Sequence, residues 1–497
     1  MVANRSPFQM GNYLMSESAT LDHCHTKVVQ QNRRPKVKLE DLPEDLLGII
    51  LSKLSPNDVI KTSVLSSKWR YMWATCRRLS FNGVAACEPN RSYPQRYVQN
   101  FIRNVNVVLQ KYHGMFVEDL EVKFAFDTTL VDHLNDWVSF AVSSQAKNLA
   151  FDLAPVRSGG RADRYTFPFQ LLDCQSISRL QCIQLSFVSL KLPFQFRGFP
   201  SLRKLDLNLL HVTKKDLENM LSNCDSLEWL SIVKCHLNDE LRVEHPLNHL
   251  LYLRVVNCAI TKVEFNAARL STFVYKGEFV PVIFTQSLQM ENANILFFRA
   301  VFQHAFAALI NEIPSIQNLT LHVLFQQLET RWDFCNLQKI SQLRNIQFLT
   351  HIFKEDVDKI LYLVSSLRAA PFIEKLEVHF GGCKDLWFAN KGPDRQHLPH
   401  PHFEYSYLKD MHITGYKGAR GQLQFLLHIV EHAPALQSLT VSTTQLLPEE
   451  YFVDTVDRSF FGRAAWHARY HLSQKLSPTF WLSSSADPDI CTVHSCL

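Results

Sequence analysis

The sequence predicts an α/β fold: a small all-α helical module near the N-terminus, then an irregular solenoid of strand and helix units closed by a C-terminal cap. Three observations lead there. Residues 42–73, LPEDLLGIILSKLSPNDVIKTSVLSSKWRYMW, set apolar side chains at helical spacing. Between residues 117 and 441 an apolar-x-x-apolar-x-apolar triplet returns twelve times. Between triplets the apolar period changes from that of a strand to that of a helix.

In the first segment Leu46, Leu47, Ile50, Leu51 and Leu54 share one broad helical face. Ser55-Pro56 ends that helix and opens another, because a serine hydroxyl accepts from free backbone N–H groups and proline fits the first helical position. Val59, Ile60, Ser63 and Val64 continue the second helix. Ser66 caps a third that carries Trp69, Met72 and Trp73. Domains below roughly 40 residues usually need a staple or a partner, so this module is expected to lean on something. The Leu42-Pro43 opening, the Ile50/Leu51/Leu54 face and the SVLSSKWRYMW close resemble an F-box of the plant type. That resemblance implies docking onto the Skp-type adaptor of a cullin-RING ubiquitin ligase. It puts Leu42, Pro43, Leu46, Ile50, Leu54, Val59, Val64 and Trp69 on, or in support of, the adaptor-facing surface. Read from the pattern alone, the same residues pack a helical subdomain against the rest of the chain.

The clearest triplets are Leu202/Leu205/Leu207, Leu227/Leu230/Ile232 and Leu250/Leu253/Val255, the latter two continuing to Cys235 and Cys258. Weaker copies precede them at Val117/Leu120/Val122, Ala146/Leu149/Phe151 and Leu180/Ile183/Leu185. Others follow at Leu270/Phe273/Tyr275, Ile316/Leu319/Leu321, Leu343/Ile346/Phe348, Ile373/Leu376/Val378, Leu408/Met411/Ile413 and Leu436/Leu439/Val441. A gap of 46 residues separates Phe273 from Leu319, room for an insertion or an unrecognised repeat. Helical faces are expected between triplets. They are Val98/Phe101/Ile102/Val105/Leu109, Leu217/Met220/Leu221 behind a Thr213 cap, Val357/Ile360/Leu361/Val364 and Leu423/Leu426/Leu427/Val430. The series resembles leucine-rich repeats, which implies a curved solenoid with a parallel sheet on its concave side. Residues 407–441 resemble the FBD region of plant F-box proteins, with a strand, a Gly-rich turn from Gly415 to Gly421, a helix and a strand. FFGRAAWHARYHL, residues 460–472, is similar to that region's closing helix. The expected division is a disordered basic tail at 1–38, the F-box-like module at 39–80, irregular repeats at 81–398, the FBD-like cap at 399–475 and a tail at 476–497.

With 46% hydrophobic and 20% charged residues the chain reads as globular. The formal net charge is +5, and most of it sits in residues 1–38, so a broad phosphate-binding surface and a nucleic-acid partner are not expected. The basic cluster RRPKVK within that tail is open to three readings, a nuclear address, a nucleic-acid contact or a solvated segment. No apolar core of signal-peptide length opens the sequence. The best membrane candidate, Ile295 to Ile310, is interrupted by Arg299, Gln303 and His304 and reads as a partly buried helix, so no membrane association is expected. Twelve cysteines without a CxxC pair suit reduced thiols in the cytoplasm or nucleus.

Catalytic and metal chemistry finds no anchor in the pattern. His397, His400 and His402 in HLPHPH lack neighbouring ligands to complete a zinc set, and His23-Cys24-His25 sits in the polar tail. Cys235 and Cys258 occupy matching repeat positions and read as buried structural thiols. GYKGARG lacks the P-loop pattern and reads as a turn, and no GxSxG or HExxH occurs. No cofactor or metal is expected. The expectation is a non-catalytic substrate-recognition subunit of a Skp-cullin-F-box ubiquitin ligase, holding the adaptor, and through it cullin, by the helical module and an unidentified target protein by the repeats. Two alternatives stay open: a repeat scaffold that binds without ubiquitination, and a sensor that needs a small ligand.

Overall fold

The computed structural model describes residues 42, 43, 46, 47, 50, 77–84, 94–112, 114, 116–155, 163–285, 289–298, 300, 302–324, 339–351, 362–381, 403–444, 468, 470–472, 480–483 and 490–495. Its strands begin with β1 (Arg78–Asn82), β2 (Asp119–Lys123), β3 (Asn148–Asp152), β4 (Tyr165–Phe167), β5 (Cys182–Ser186), β6 (Val188–Leu190) and β7 (Lys204–Asn208). They continue with β8 (Trp229–Val233), β9 (His236–Val243), β10 (Tyr252–Val256), β11 (Ala259–Asn266), β12 (Thr272–Glu278), β13 (Val282–Thr285) and β14 (Asn292–Phe298). Last come β15 (Asn318–Leu324), β16 (Asn345–His351), β17 (Lys375–Gly381), β18 (Asp410–Thr414), β19 (Ser438–Ser442), β20 (Phe480–Ser483) and β21 (Ile490–Ser495). The described helices are α1 (Gln95–Gln110), α2 (Val131–Ser143), α3 (Cys174–Arg179), α4 (Lys214–Leu221), α5 (Phe302–Glu312), α6 (Tyr362–Leu367) and α7 (Arg420–His432).

Each triplet becomes one rung of a 16-stranded sheet ordered β1-β2-β3-β5-β7-β8-β10-β12-β14-β15-β16-β17-β18-β19-β21-β20. From β1 to β19 neighbours run parallel with like positions aligned, so Leu205, Leu230, Leu253 and Phe273 stand side by side. All twelve triplets face the interior, none of their residues more than 4% exposed. Strand alternation causes this, since residues two apart lie on one face.

The 46-residue gap holds a missed rung. In β14, Ala293 pairs with Phe273 on one side and Leu319 on the other, and Met290, Ala293 and Ile295 are buried. A further rung, Leu79 and Phe81 of β1, pairs with Leu120 and Val122. Ile295 to Ile310 is therefore no single helix. Ile295 and Phe297 point inward while Leu296 and Phe298 are partly exposed, the two-residue period of β14, and α5 starts only at Phe302. Among the described residues no helix is long and apolar enough to cross a membrane.

The return wall differs more from expectation. Helices form it early and late, with α1 burying Val98, Ile102, Val105 and Val108, while Phe101 and Leu109 are partly buried. Trp137 of α2 buries its ring and donates its indole N–H to Asn106 Oδ1 at 2.8 Å. Between them lie strands where helices are expected, β9, β11 and β13 forming a parallel three-stranded sheet and β4 pairing with β6. Unit length explains the change. Leu230, Leu253, Phe273 and Ala293 are 23, 20 and 20 residues apart, and extended chain spans about 3.3 Å per residue against 1.5 Å for a helix. A short unit crosses the return wall only as a strand. The 25-residue unit from Leu205 to Leu230 keeps one short helix, α4, whose Thr213 cap accepts from Asp216 N at 3.1 Å and donates to Asp216 Oδ2 at 2.7 Å.

The two walls meet at left-handed corners. Phe187, Leu209, Lys234 and Asn257, each just after a rung, have φ between 50° and 60°. A side chain there costs roughly 1–2 kcal/mol. Each corner N–H is bonded to the next rung in return, Leu209 N to Val233 O at 2.8 Å and Lys234 N to Val256 O at 2.7 Å. Cys235 and Cys258 follow two of these corners. Cys235 Sγ donates to Val233 O at 3.4 Å, and Cys258 Sγ to Ile232 O at 3.3 Å. The neighbouring Cys258 thiol, then burial, pushes the Cys235 thiol well up, and the neighbouring Cys235 holds Cys258 down.

In the C-terminal part, β18, the Gly-rich turn, α7 and β19 follow in the expected order. The buried face of α7 is turned from the expected one. Gln422, Phe425, Leu426, His428 and Ile429 are buried, whereas Leu423, Leu427 and Val430 are only half-buried, because apolar residues nearly surround this helix. Gly415 has φ +67°, and a Cβ there would lie 1.9 Å from Phe380 O, so no other residue fits. Of the expected helix at 357–364, Val364 is buried in α6, and Val357, Ile360 and Leu361 lie outside the described residues. Of 460–472, Ala468, Tyr470, His471 and Leu472 are helical. Beyond them β21 pairs antiparallel with β19 and β20 with β21, in residues the sequence leaves to a tail.

Two predictions follow from this packing. Leu230→Ala, at a fully buried rung centre, is expected to lower the free energy of urea unfolding by about 2–5 kcal/mol; a loss under about 1 kcal/mol would contradict the stacked core. His428 lies against His432, ring centres 4.3 Å apart, with Tyr405 Oη 3.4 Å from its Nε2. Burial, then the charge of His432, lowers its pKa to about 4. The fold therefore favours the neutral ring. Its contribution is complete above the unfolded value of about 6.5 and is lost as pH falls from there to about 4, on the order of 3 kcal/mol in total. Buried His379 and half-buried His412 shift in the same direction. Unfolding midpoints should fall across that window, less steeply in His428→Gln; equal slopes would refute the assignment.

Candidate functional site

Alternation gives the sheet a second, outward face built from the residues between the triplet positions. On its N-terminal strands these side chains satisfy one another. Arg78 Nε lies 2.9 Å from Asp119 Oδ2, Lys123 Nζ 3.1 Å from Asp152 Oδ2, and Ser80 Oγ donates to Glu121 Oε2 at 2.7 Å. The C-terminal strands do the same. Asn345 Nδ2 donates to Asn318 Oδ1 at 2.6 Å and Asn318 Nδ2 to Asn292 Oδ1 at 2.8 Å, a ladder along one row of the face. Gln347 Nε2 donates to Glu377 Oε2 at 3.0 Å and to His379 Nε2 at 2.8 Å, which leaves His379 Nδ1–H to donate to Thr414 Oγ1 at 2.8 Å. Burial holds the His379 pKa down, consistent with a neutral ring in that network. An open depression of about 290 Å³ lies over Asn318, Asn345, Gln347, Lys375 and Glu377.

The middle of the face is different. Trp229 and Tyr252, both one residue before a rung centre, stack with ring centres 3.6 Å apart and an 11° interplanar angle. Lys204 Nζ sits 5.6 Å from the Trp229 ring centre on the other side. Trp229 is 37% exposed. Beside the stack, Ser231 Oγ is buried with no hydrogen-bond partner among the described residues. The Arg254 guanidinium, in the same row as Ser231, likewise makes no hydrogen bond or ion pair among them. Sequence reading missed this set, although its signal is present: Lys204, Trp229 and Tyr252 all immediately precede the middle residue of a clear triplet.

Of the expected adaptor-facing residues, Pro43 is exposed and Leu46 is 48% exposed, while Leu42 and Ile50 are half-buried and pack against the core. Leu47 is fully buried, its N–H bonded to Pro43 O at 3.1 Å, a helical hydrogen bond four residues back along the chain. Leu54, Val59, Val64 and Trp69 lie outside the described residues, as do the RRPKVK cluster, His23-Cys24-His25 and HLPHPH. Among the described residues no group of three or more His, Cys, Asp or Glu side chains is placed to hold a metal. The Gly-rich turn is closed on itself: Gln422 Oε1 accepts from Lys417 N at 2.8 Å and Ala419 N at 3.3 Å. Those N–H groups are thereby taken from any phosphate, and the loop acts as a turn.

Two family models match the chain: an F-box domain over residues 39–81, and the At1g61320/AtMIF1 LRR domain over residues 108–461. Among similar proteins of Arabidopsis thaliana, the F-box/FBD/LRR-repeat protein At1g13570 is 25% identical over 411 residues, 82% of this chain and 91% of the relative. The putative FBD-associated F-box protein At1g61330 is 22% identical with the same shares covered. The putative F-box/LRR-repeat protein At1g56400 is 31% identical over 42% of each chain. Neither matched domain is a catalytic one. With most of its length in the repeat match and an F-box match ahead of it, the chain belongs to the F-box leucine-rich-repeat proteins, in the family of the At1g61320/AtMIF1 LRR domain.

Proposed function

We propose that this protein is the substrate-recognition subunit of a Skp-cullin-F-box ubiquitin ligase. The observation that carries the reading is the F-box match at residues 39–81 directly ahead of the repeat sheet. The helical module grips the Skp-type adaptor, and the outward face of the sheet holds a target protein. The chain performs no covalent step in this scheme; it raises the local concentration of the target beside the conjugating enzyme. Leu42, Pro43, Leu46, Ile50, Leu54, Val59, Val64 and Trp69 form or support the adaptor-facing surface in this proposal. The exposure of Pro43 and Leu46 supports their part in it, because exposed apolar side chains release water on docking. Residues 399–475 serve as an FBD-like cap on the repeats, and the protein works in the cytoplasm, the nucleus or both.

The test is a binding measurement with purified Skp-type adaptor. Pro43→Ala/Leu46→Asp is expected to weaken adaptor binding by about a hundredfold, as loss of a central anchor does, with the unfolding midpoint unchanged because both side chains are exposed. Undiminished binding by a folded variant overturns the proposed docking face.

A further inference from the structure

We propose that the Lys204–Trp229–Tyr252 stack and Arg254 form a docking site for an extended acidic segment of a partner protein, one that carries an apolar side chain beside its carboxylates. The inference rests on the sheet being the target-binding surface and is independent of adaptor docking.

Three observations carry it. First, the flanks of the outward face bond to themselves through Arg78–Asp119, Lys123–Asp152 and the Asn292–Asn318–Asn345 ladder, whereas the side chains of Trp229, Ser231, Tyr252 and Arg254 at its centre make no hydrogen bond or ion pair among the described residues. Ser231 Oγ and Asn208 Oδ1, on neighbouring strands of this face, are both buried without a partner among the described residues. A hydroxyl and a carbonyl oxygen held there suit the N–H and C=O groups of an extended backbone laid across the strands. Second, Trp229 is exposed and Tyr252 half-buried, and the two rings are already stacked, so an apolar side chain can cover them with little loss of side-chain freedom. Third, the local charge is basic on balance. Lys204, Arg254 and Lys276 occupy three successive rows of the face within β7, β10 and β12, against Asp206 and, at the end of β12, Glu278, and Arg254 has no ion pair among the described residues. A carboxylate is the complement of an unpaired guanidinium. A nucleic-acid strand fits poorly, because the paired acids Asp119, Glu121, Asp152 and Glu377 share the face and break any long cationic stripe.

The test pans a displayed library of random dodecapeptides against the full chain, and in parallel against its Trp229→Ala/Arg254→Glu variant. Sequences enriched on the native chain are expected to combine Asp or Glu with a nearby Leu, Phe, Tyr or Trp. Measured by fluorescence anisotropy, the resynthesised peptides should bind about tenfold or more weakly to each single variant. Replacing the peptide carboxylate with Lys should restore part of the affinity for Arg254→Glu, which a merely structural effect would not do. Unfolding midpoints of the variants should match the native chain, and their adaptor binding should be unchanged. No enrichment, enrichment of basic sequences, or equal binding to the double variant overturns the site. So does stronger competition by a single-stranded oligonucleotide, or a self-association of the chain that Trp229→Ala abolishes, which would assign the face to a second copy.

Discussion

The structure depends on one constraint: a rung cannot bury its apolar triplet except between two neighbours that bond to it in register. Leu230 is shielded because Leu205 and Leu253 stand beside it on adjacent parallel strands. The same lateral bonds fix what lies on the other face. Once Leu205, Leu230 and Leu253 are aligned, Lys204, Trp229 and Tyr252 must be aligned too, and the cation and two rings come into contact through residues more than twenty apart in sequence. The buried face and the outward face of this molecule therefore share one register.

That register also sets the character of each return. Long units fold back as helices, short ones as strands, and the corners between them accept left-handed residues because each corner N–H is bonded to the following rung. The paired thiols of Cys235 and Cys258 fit this scheme as hydrogen-bonding side chains at consecutive corners. The closing turn is solved differently, by a glycine that no Cβ can replace and a buried glutamine that satisfies the loop N–H groups.

Much of the first wall was legible in the sequence because Leu, Ile, Val and Phe at fixed spacing announce buried strand positions. The Ala293 rung escaped because its small central residue and the continuous apolar run after it hide a two-residue period. The strands of the return wall escaped for another reason: a pattern such as Ile260, Val263 and Phe265, whose two-residue period is broken by a register shift between Ile260 and Val263, becomes informative only when unit length rules out a helix. The inward turn of α7 was ambiguous because apolar residues nearly encircle it. The Trp229–Tyr252 stack is a property of two units rather than of any segment, so it emerges only when rungs are laid side by side. In the helical module, the sequence pattern carries the reading of Leu54, Val59, Val64 and Trp69.

The account divides labour between an N-terminal module that meets the adaptor and a sheet face that meets a partner, joined by a core that neither event needs to rearrange. Amide hydrogen exchange of the full chain, with and without purified Skp-type adaptor, tests that division most directly. The account predicts new protection confined to residues 42–73, with the strands bearing Trp229 and Tyr252 exchanging at unchanged rates. Protection spread over the outward face of the sheet, or none in the N-terminal module, would contradict it.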